Sequence, residues 1–373
     1  MGTRAGRAGL LPWGLIGALV LVGAVERTVA RHEWTLTSSP TALAWRAARK
    51  AAGREARSAE ILCLGDSLVK LGVLPRVIEA RTGRSAYNLA TDSSPAPAAY
   101  FLLRRALAAG ARPRVLLVDF HSQVLPTPPR DSLPYWPELL GVGEAVELGW
   151  IARDSGFVTS TLLATLLPSL KDRDGLRTTF LGRDRRALEG LLGAHVRNWR
   201  SNGGATVYQK IPPPAREPIQ VPLRGTWTPA RPNLHYVRRF LDLAAARNIP
   251  VFWLLPPLTP GRQRKLEREG QDERFTRLLR DLQAADPNLH VIDGRRSGYP
   301  RAVFIDQTHL DRDGAAEFSA EVAALIGPRL RGSSPDERWL QLPSYTGQRI
   351  DTPLEDLQQS RLAREAAPAV SRR

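Results

Sequence analysis

Two short stretches carry residue types that could do chemistry. Gly65-Asp66-Ser67 ends the apolar run Ile61-Leu62-Cys63-Leu64, and Asp306-Gln307-Thr308-His309 lies late in the chain. A serine hydroxyl is a poor nucleophile until a base takes its proton. An imidazole serves as that base when a carboxylate fixes its tautomer and steadies its charged form. Ser67, His309 and Asp306 could supply the three groups. Taken singly, each stretch also has an ordinary reading as a turn. In this order, one after a strand and the other before a final helix, they read as a nucleophile and a base that the fold must bring together.

The neighbouring elements suit that task. Four apolar residues followed by Gly-Asp-Ser predict a fully buried strand that stops in a tight turn, which would lift the Ser67 hydroxyl to the carboxyl edge of a sheet, where ligands bind in open α/β folds. Val69 to Ile78 leads into a helix, so the N–H of Ser67 or Leu68 could face a developing oxyanion. Further strands are expected at Ser85–Ala90, Arg114–Asp119, Ile249–Leu255 and Leu289–Asp293. Helices are expected from Pro95 to Gly110, over 233–248, over 263–285, and from Asp313 to Ile326. Alternating strands and helices at this spacing predict a parallel sheet with right-handed crossovers. Residues 125–232 break the rhythm with prolines at 126, 128, 129, 134 and 137 and a helical stretch over 157–170. They read as an insertion forming a cap or side domain, with an exposed loop over 210–222.

With these residues in place, the chain resembles the SGNH, or GDSL-type, hydrolase superfamily. The resemblance rests on Gly65-Asp66-Ser67 after an apolar strand and on Asp306-x-x-His309 before the last helix, and covers residues 58–328. It implies a three-layer α/β/α sandwich with a parallel, flavodoxin-like sheet, here with a helical or irregular insertion over 125–232, and catalytic residues Ser67, His309 and Asp306. The family's second block brings a glycine N–H to the oxyanion hole and its third an asparagine. The stretch Tyr87–Ser94 has no glycine and Val118–Gln123 no asparagine. Ser67, Leu68, Ser94 (or Ser93) and Gln123 (or Ser122) are therefore the donors the resemblance leaves available.

Composition sets the outer limits. A chain of 373 residues with 43% hydrophobic content can bury a sizeable core. Its formal charge of +16 comes from basic residues scattered along the chain, with no cluster or aromatic-interleaved stripe, which argues against a nucleic-acid partner. The single cysteine, Cys63, excludes an intrachain disulfide and reads as a buried inert thiol; without a Cys/His cluster neither a metal nor another cofactor is expected. His195, among Leu191, Leu192 and Val196, reads as a packing residue, and His121 as one that could pack or reach the site. Glu267, Glu269 and Glu273 read as a solvated helix face.

The first thirty residues are laid out as an export signal or anchor: Arg4 and Arg7, then the uncharged stretch Leu10–Val25, closed by Glu26-Arg27. They predict a single-pass anchor in the cell membrane with the catalytic domain outside, or a secreted protein if the segment is cleaved. Residues 31–57 read as a linker and helix, and 329–373 as a tail that is mobile or laid over the surface. The function expected from all of this is a serine esterase acting on an acyl ester of a cell-envelope glycan or lipid. The alternatives are an envelope O-acyltransferase with the same triad and a non-catalytic carbohydrate-binding or assembly protein that keeps the fold.

Overall fold

The computed structural model describes residues 13–31, 39–171, 185–210, 227–333 and 337–366. The expected loop over 210–222 lies almost entirely outside them. Six strands form one all-parallel sheet: β1 (Ile61–Gly65), β2 (Ala86–Asn88), β3 (Val115–Asp119), β4 (Val251–Leu255), β5 (Leu289–Asp293) and β6 (Trp339–Gln341). Their order across the sheet is β2-β1-β3-β4-β5-β6, so the direction of winding reverses between β1 and β3. Strands β1, β3, β4 and β5 are buried at every position, which is why they read as continuous apolar runs instead of alternating ones.

Alternation appears instead in which core each residue enters. Leu62, Leu64, Leu116, Val118, Val251 and Trp253 face the helices Pro40–Ala52, Ala96–Ala108, Arg231–Ala245 and Gln271–Ala285. Ile61, Cys63, Val115, Leu117, Phe252 and Leu254 face Ser67–Gly72, Pro75–Thr82 and Arg312–Leu330. The chain is thus an α/β protein with helices on both sheet faces, compatible with a three-layer α/β/α arrangement. Parallel pairing puts all strand carboxyl ends at one edge, and β1 pairs Gly65 with Asp119 of β3 there.

Several expectations need correction. Among the described residues no helix is long and apolar enough to cross a membrane, which overturns the single-pass anchor and the localisation built on it. The helix Trp13–Arg31 is apolar only as far as Val25. At 1.5 Å per residue that part spans about 20 Å, against about 30 Å of hydrocarbon core. Glu26, just beyond it, accepts hydrogen bonds from the backbone N–H (2.9 Å) and the hydroxyl of Ser169. Within 31–57, the helix Pro40–Ala52 is no spacer, since Trp45 is fully buried and Arg46 pairs with buried Glu138.

The expected helix over 263–285 is two, Pro260–Arg268 and Gln271–Ala285, because Gly270 turns left-handed (φ 66°) between them. The last helix is capped by Asp311, whose carboxylate accepts from the N–H of Asp313 and Gly314, and not by Asp313. The tail adds β6 to the sheet edge and the helix Leu357–Ala366. Trp339 holds β6 there, with Arg280 over its ring and its Nε1–H donating to Asp293.

Candidate active site

Local chemistry fixes Ser67 before any partner arrives. Gly65 has φ 135°, and a Cβ there would lie 2.5 Å from the Asp119 carbonyl oxygen, so only glycine lets β1 turn this close to β3. Asp66 then caps the short helix Ser67–Gly72 by accepting the Leu68 N–H at 2.8 Å. The far end of that helix is held by Asn88 of β2, whose amide donates to the carbonyls of Val69 (2.8 Å) and Val73 (2.9 Å). Ser319 adds a donation to the Gly72 carbonyl.

The second half of the site is a loop folded on itself. The Ile305 N–H donates to the His309 carbonyl, Phe304 and Leu310 form an antiparallel bridge, and Thr259 donates twice to the Gln307 carbonyl. Asp306 Oδ1 accepts the N–H groups of Thr308 (2.7 Å) and His309 (2.8 Å), which leaves Oδ2 facing the imidazole. Asp306 Oδ2 lies 2.6 Å from His309 Nδ1, and His309 Nε2 lies 2.8 Å from Ser67 Oγ. The three residues singled out in the sequence therefore form one hydrogen-bonded chain. Burial opposes a charged imidazole, but the hydrogen bond and charge of Asp306, reinforced by Asp66 and Asp92, raise the His309 pKa above its ordinary value. Burial likewise works against the Asp306 carboxylate, yet its bonds to His309 and the loop N–H groups hold it well below the usual carboxylate range.

The expected oxyanion donors behave differently from one another. The Leu68 N–H is already committed to Asp66. Ser93 sits in the left-handed region (φ 54°), an unusual conformation for a residue other than glycine. Next to it Ser94 is buried with its Oγ unpaired, and Gln123, on the loop after β3, has its Nε2 buried and unpaired. Two polar atoms left unsatisfied beside a nucleophile are what an incoming oxygen would satisfy. His121 is buried and receives the Gln123 N–H at 3.4 Å; burial first, then Arg262 and His309, lower its pKa to about 3. Leu68, Leu258 and Leu266 make a small apolar cluster on the nucleophile's helix. Trp253 packs wholly in the main core.

Sequence reasoning gave no role to four nearby groups. Lys70, one helical turn after Ser67, is buried, donates to the Gly204 carbonyl at 2.6 Å and lies over Trp199. Burial lowers its pKa to about 8, against the pull of Asp92. Asp66 is raised to about 6 by burial and by Asp92, despite its bond from Leu68 and the nearby His309. Asp119 is raised further, by burial and then by Asp66. Asp92, on the loop after β2, acts on all of these except Asp119, and its type alone in a polar loop gave no signal. Among the described residues no group of three His, Cys, Asp or Glu side chains could hold a metal ion. No protein-family model, curated protein or solved structure matches this chain.

Proposed function

We propose that this chain is a serine ester hydrolase of the SGNH/GDSL type, in which Ser67 attacks an acyl carbonyl. The carrying observation is the unbroken chain from Ser67 Oγ through His309 to Asp306, at 2.8 and 2.6 Å. The strand order 2-1-3-4-5 with an added sixth strand favours a flavodoxin-like sheet, with the site at its reversal between β1 and β3.

In this reading His309 Nε2 takes the Ser67 proton as the Oγ–C bond forms, and Asp306 steadies the imidazolium without itself being protonated. The tetrahedral oxyanion is met by the Ser67 N–H, by a donor of the Ser93–Ser94 turn and by Gln123 Nε2. His309 then returns the proton to the departing alcohol oxygen. Water completes a hydrolysis through the same steps in reverse; an acceptor hydroxyl gives acyl transfer. The raised His309 pKa suits a base that must bind a proton firmly and release it near neutrality. The cell-envelope setting loses its support together with the membrane span.

Labelling the full chain with a fluorophosphonate and mapping the modified peptide tests this reading. A label on Ser67 that is lost in Ser67→Ala and in His309→Ala is the expected result. No label on protein shown to be folded by circular dichroism would remove the activated serine.

A further inference from the structure

Beside the triad, on the β2 side, three polar side chains converge from separate segments. Asp92 comes from the loop after β2, which is pinned by Trp45 Nε1–H to the Asp92 carbonyl (2.9 Å) and by the Thr91 N–H to the Gly65 carbonyl (3.1 Å). His195 comes from the helix Arg185–Ser201 and rests against Trp199, with ring centroids 5.7 Å apart. Tyr208 follows that helix, on a stretch tied down by the Thr206 N–H to Lys70 and by the Leu357 N–H to Val207. Asp92 is the shared electrostatic neighbour of His309, Lys70, His195 and Tyr208, and Tyr208 also feels Asp306. None of these three side chains makes a hydrogen bond among the described residues, although His195 is only 7% exposed. A buried imidazole with unspent nitrogens is costly in a folded protein unless something else completes it.

We propose that Asp92, His195 and Tyr208 form a subsite for the hydroxyl groups of a sugar-like, polyhydroxylated alcohol, the half of the ester that leaves from or accepts the acyl group. This rests on the ester-transfer reading above. The carboxylate can only accept hydrogen bonds, while a neutral imidazole and a phenol each donate and accept. Neighbouring hydroxyls, each a donor and an acceptor, match that set. An anionic alcohol would meet the Asp92 charge, and the nearest cation, Lys70, already donates to Gly204.

The test compares two acetyl esters on the full chain: methyl 6-O-acetyl-glucoside, and hexyl acetate, which lacks hydroxyls. The readout is the ratio of their kcat/KM values, which cancels any damage that a variant does to His309. In the wild type the ratio favours the glucoside. In Asp92→Ala it falls by about 10- to 100-fold, mainly through KM, and in Tyr208→Phe by less, as expected for loss of charged and neutral hydrogen bonds. A ratio unchanged in both variants overturns the subsite while leaving the esterase reading intact. If Ser67 takes no label and neither ester turns over, the esterase reading fails. Saturation-transfer NMR with methyl glucoside then decides the subsite alone: a sugar signal that vanishes in Asp92→Ala supports it, and an absent or unaltered signal overturns it.

Discussion

Two loops at the carboxyl edge of the sheet each bring a histidine toward Ser67, and they leave it in opposite states. His309 has a carboxylate 2.6 Å from its Nδ1, and its pKa is raised despite burial. His121, on the loop after β3, has a backbone N–H at its Nδ1 and Arg262 nearby, and stays neutral down to about pH 3. The residue type is the same and both sites are largely closed to water. The difference lies in the hydrogen-bonding partner: a carboxylate makes a base that can carry a proton, and an N–H with a neighbouring cation makes a fixed neutral group. The two loops accordingly divide the work, one moving the proton and the other presenting Gln123.

The sharpest way to break this contrast is Asp306→Asn, which keeps the shape of the loop but removes the charge that holds the Nδ1–H tautomer. kcat should fall by about 10⁴, with KM little changed. Ester turnover within about tenfold of the wild type would mean that the carboxylate is not what distinguishes the two histidines. On the other loop, Gln123→Ala should cost about 10²–10³ in kcat if its amide meets the oxyanion. An unaltered kcat in a folded variant would return that role to backbone donors alone.

The smallest effect is in the pH profile. Catalysis needs neutral His309, so kcat/KM should be lost as pH falls through its raised pKa, placing the acid limb above the ordinary histidine value of about 6.5. His121→Gln should leave that limb in place, because His121 carries no charge between pH 5 and 8 to be removed. A limb that moved with His121 and not with Asp306→Asn would assign the base to the wrong loop.

Much of the frame was legible because its signals are local. Apolar runs of five residues ending in Gly-Asp-Ser, Asp-Phe-His or Pro-Pro mark strands buried on both faces, and β5 lies at Leu289–Asp293 as read from the sequence. Ser67, Asp306 and His309 were legible because a turn after a strand and an Asp-x-x-His loop are short-range arrangements. Elements whose signal is weak or shared were not. Trp339–Gln341 is too short to announce a strand and is held by contacts to Arg280 and Asp293, distant in the chain. The first apolar stretch reads as a span because composition carries no account of where a helix begins or what Glu26 touches. His195 reads as packing because its helix is apolar around it, and nothing nearby in the chain indicates Asp92.

By itself, the sequence determined which residues could be nucleophile, base and orienting acid, and that they sit at the ends of parallel strands, since these follow from residue chemistry and from periodicity within a few positions. Only the tertiary structure decided which of His121, His195 and His309 meets a carboxylate, that the Leu68 N–H is spent on Asp66, and that Asp92, His195 and Tyr208 surround one space. Those outcomes depend on burial and on the distances between segments far apart in the chain, and both quantities exist only once the sheet has closed.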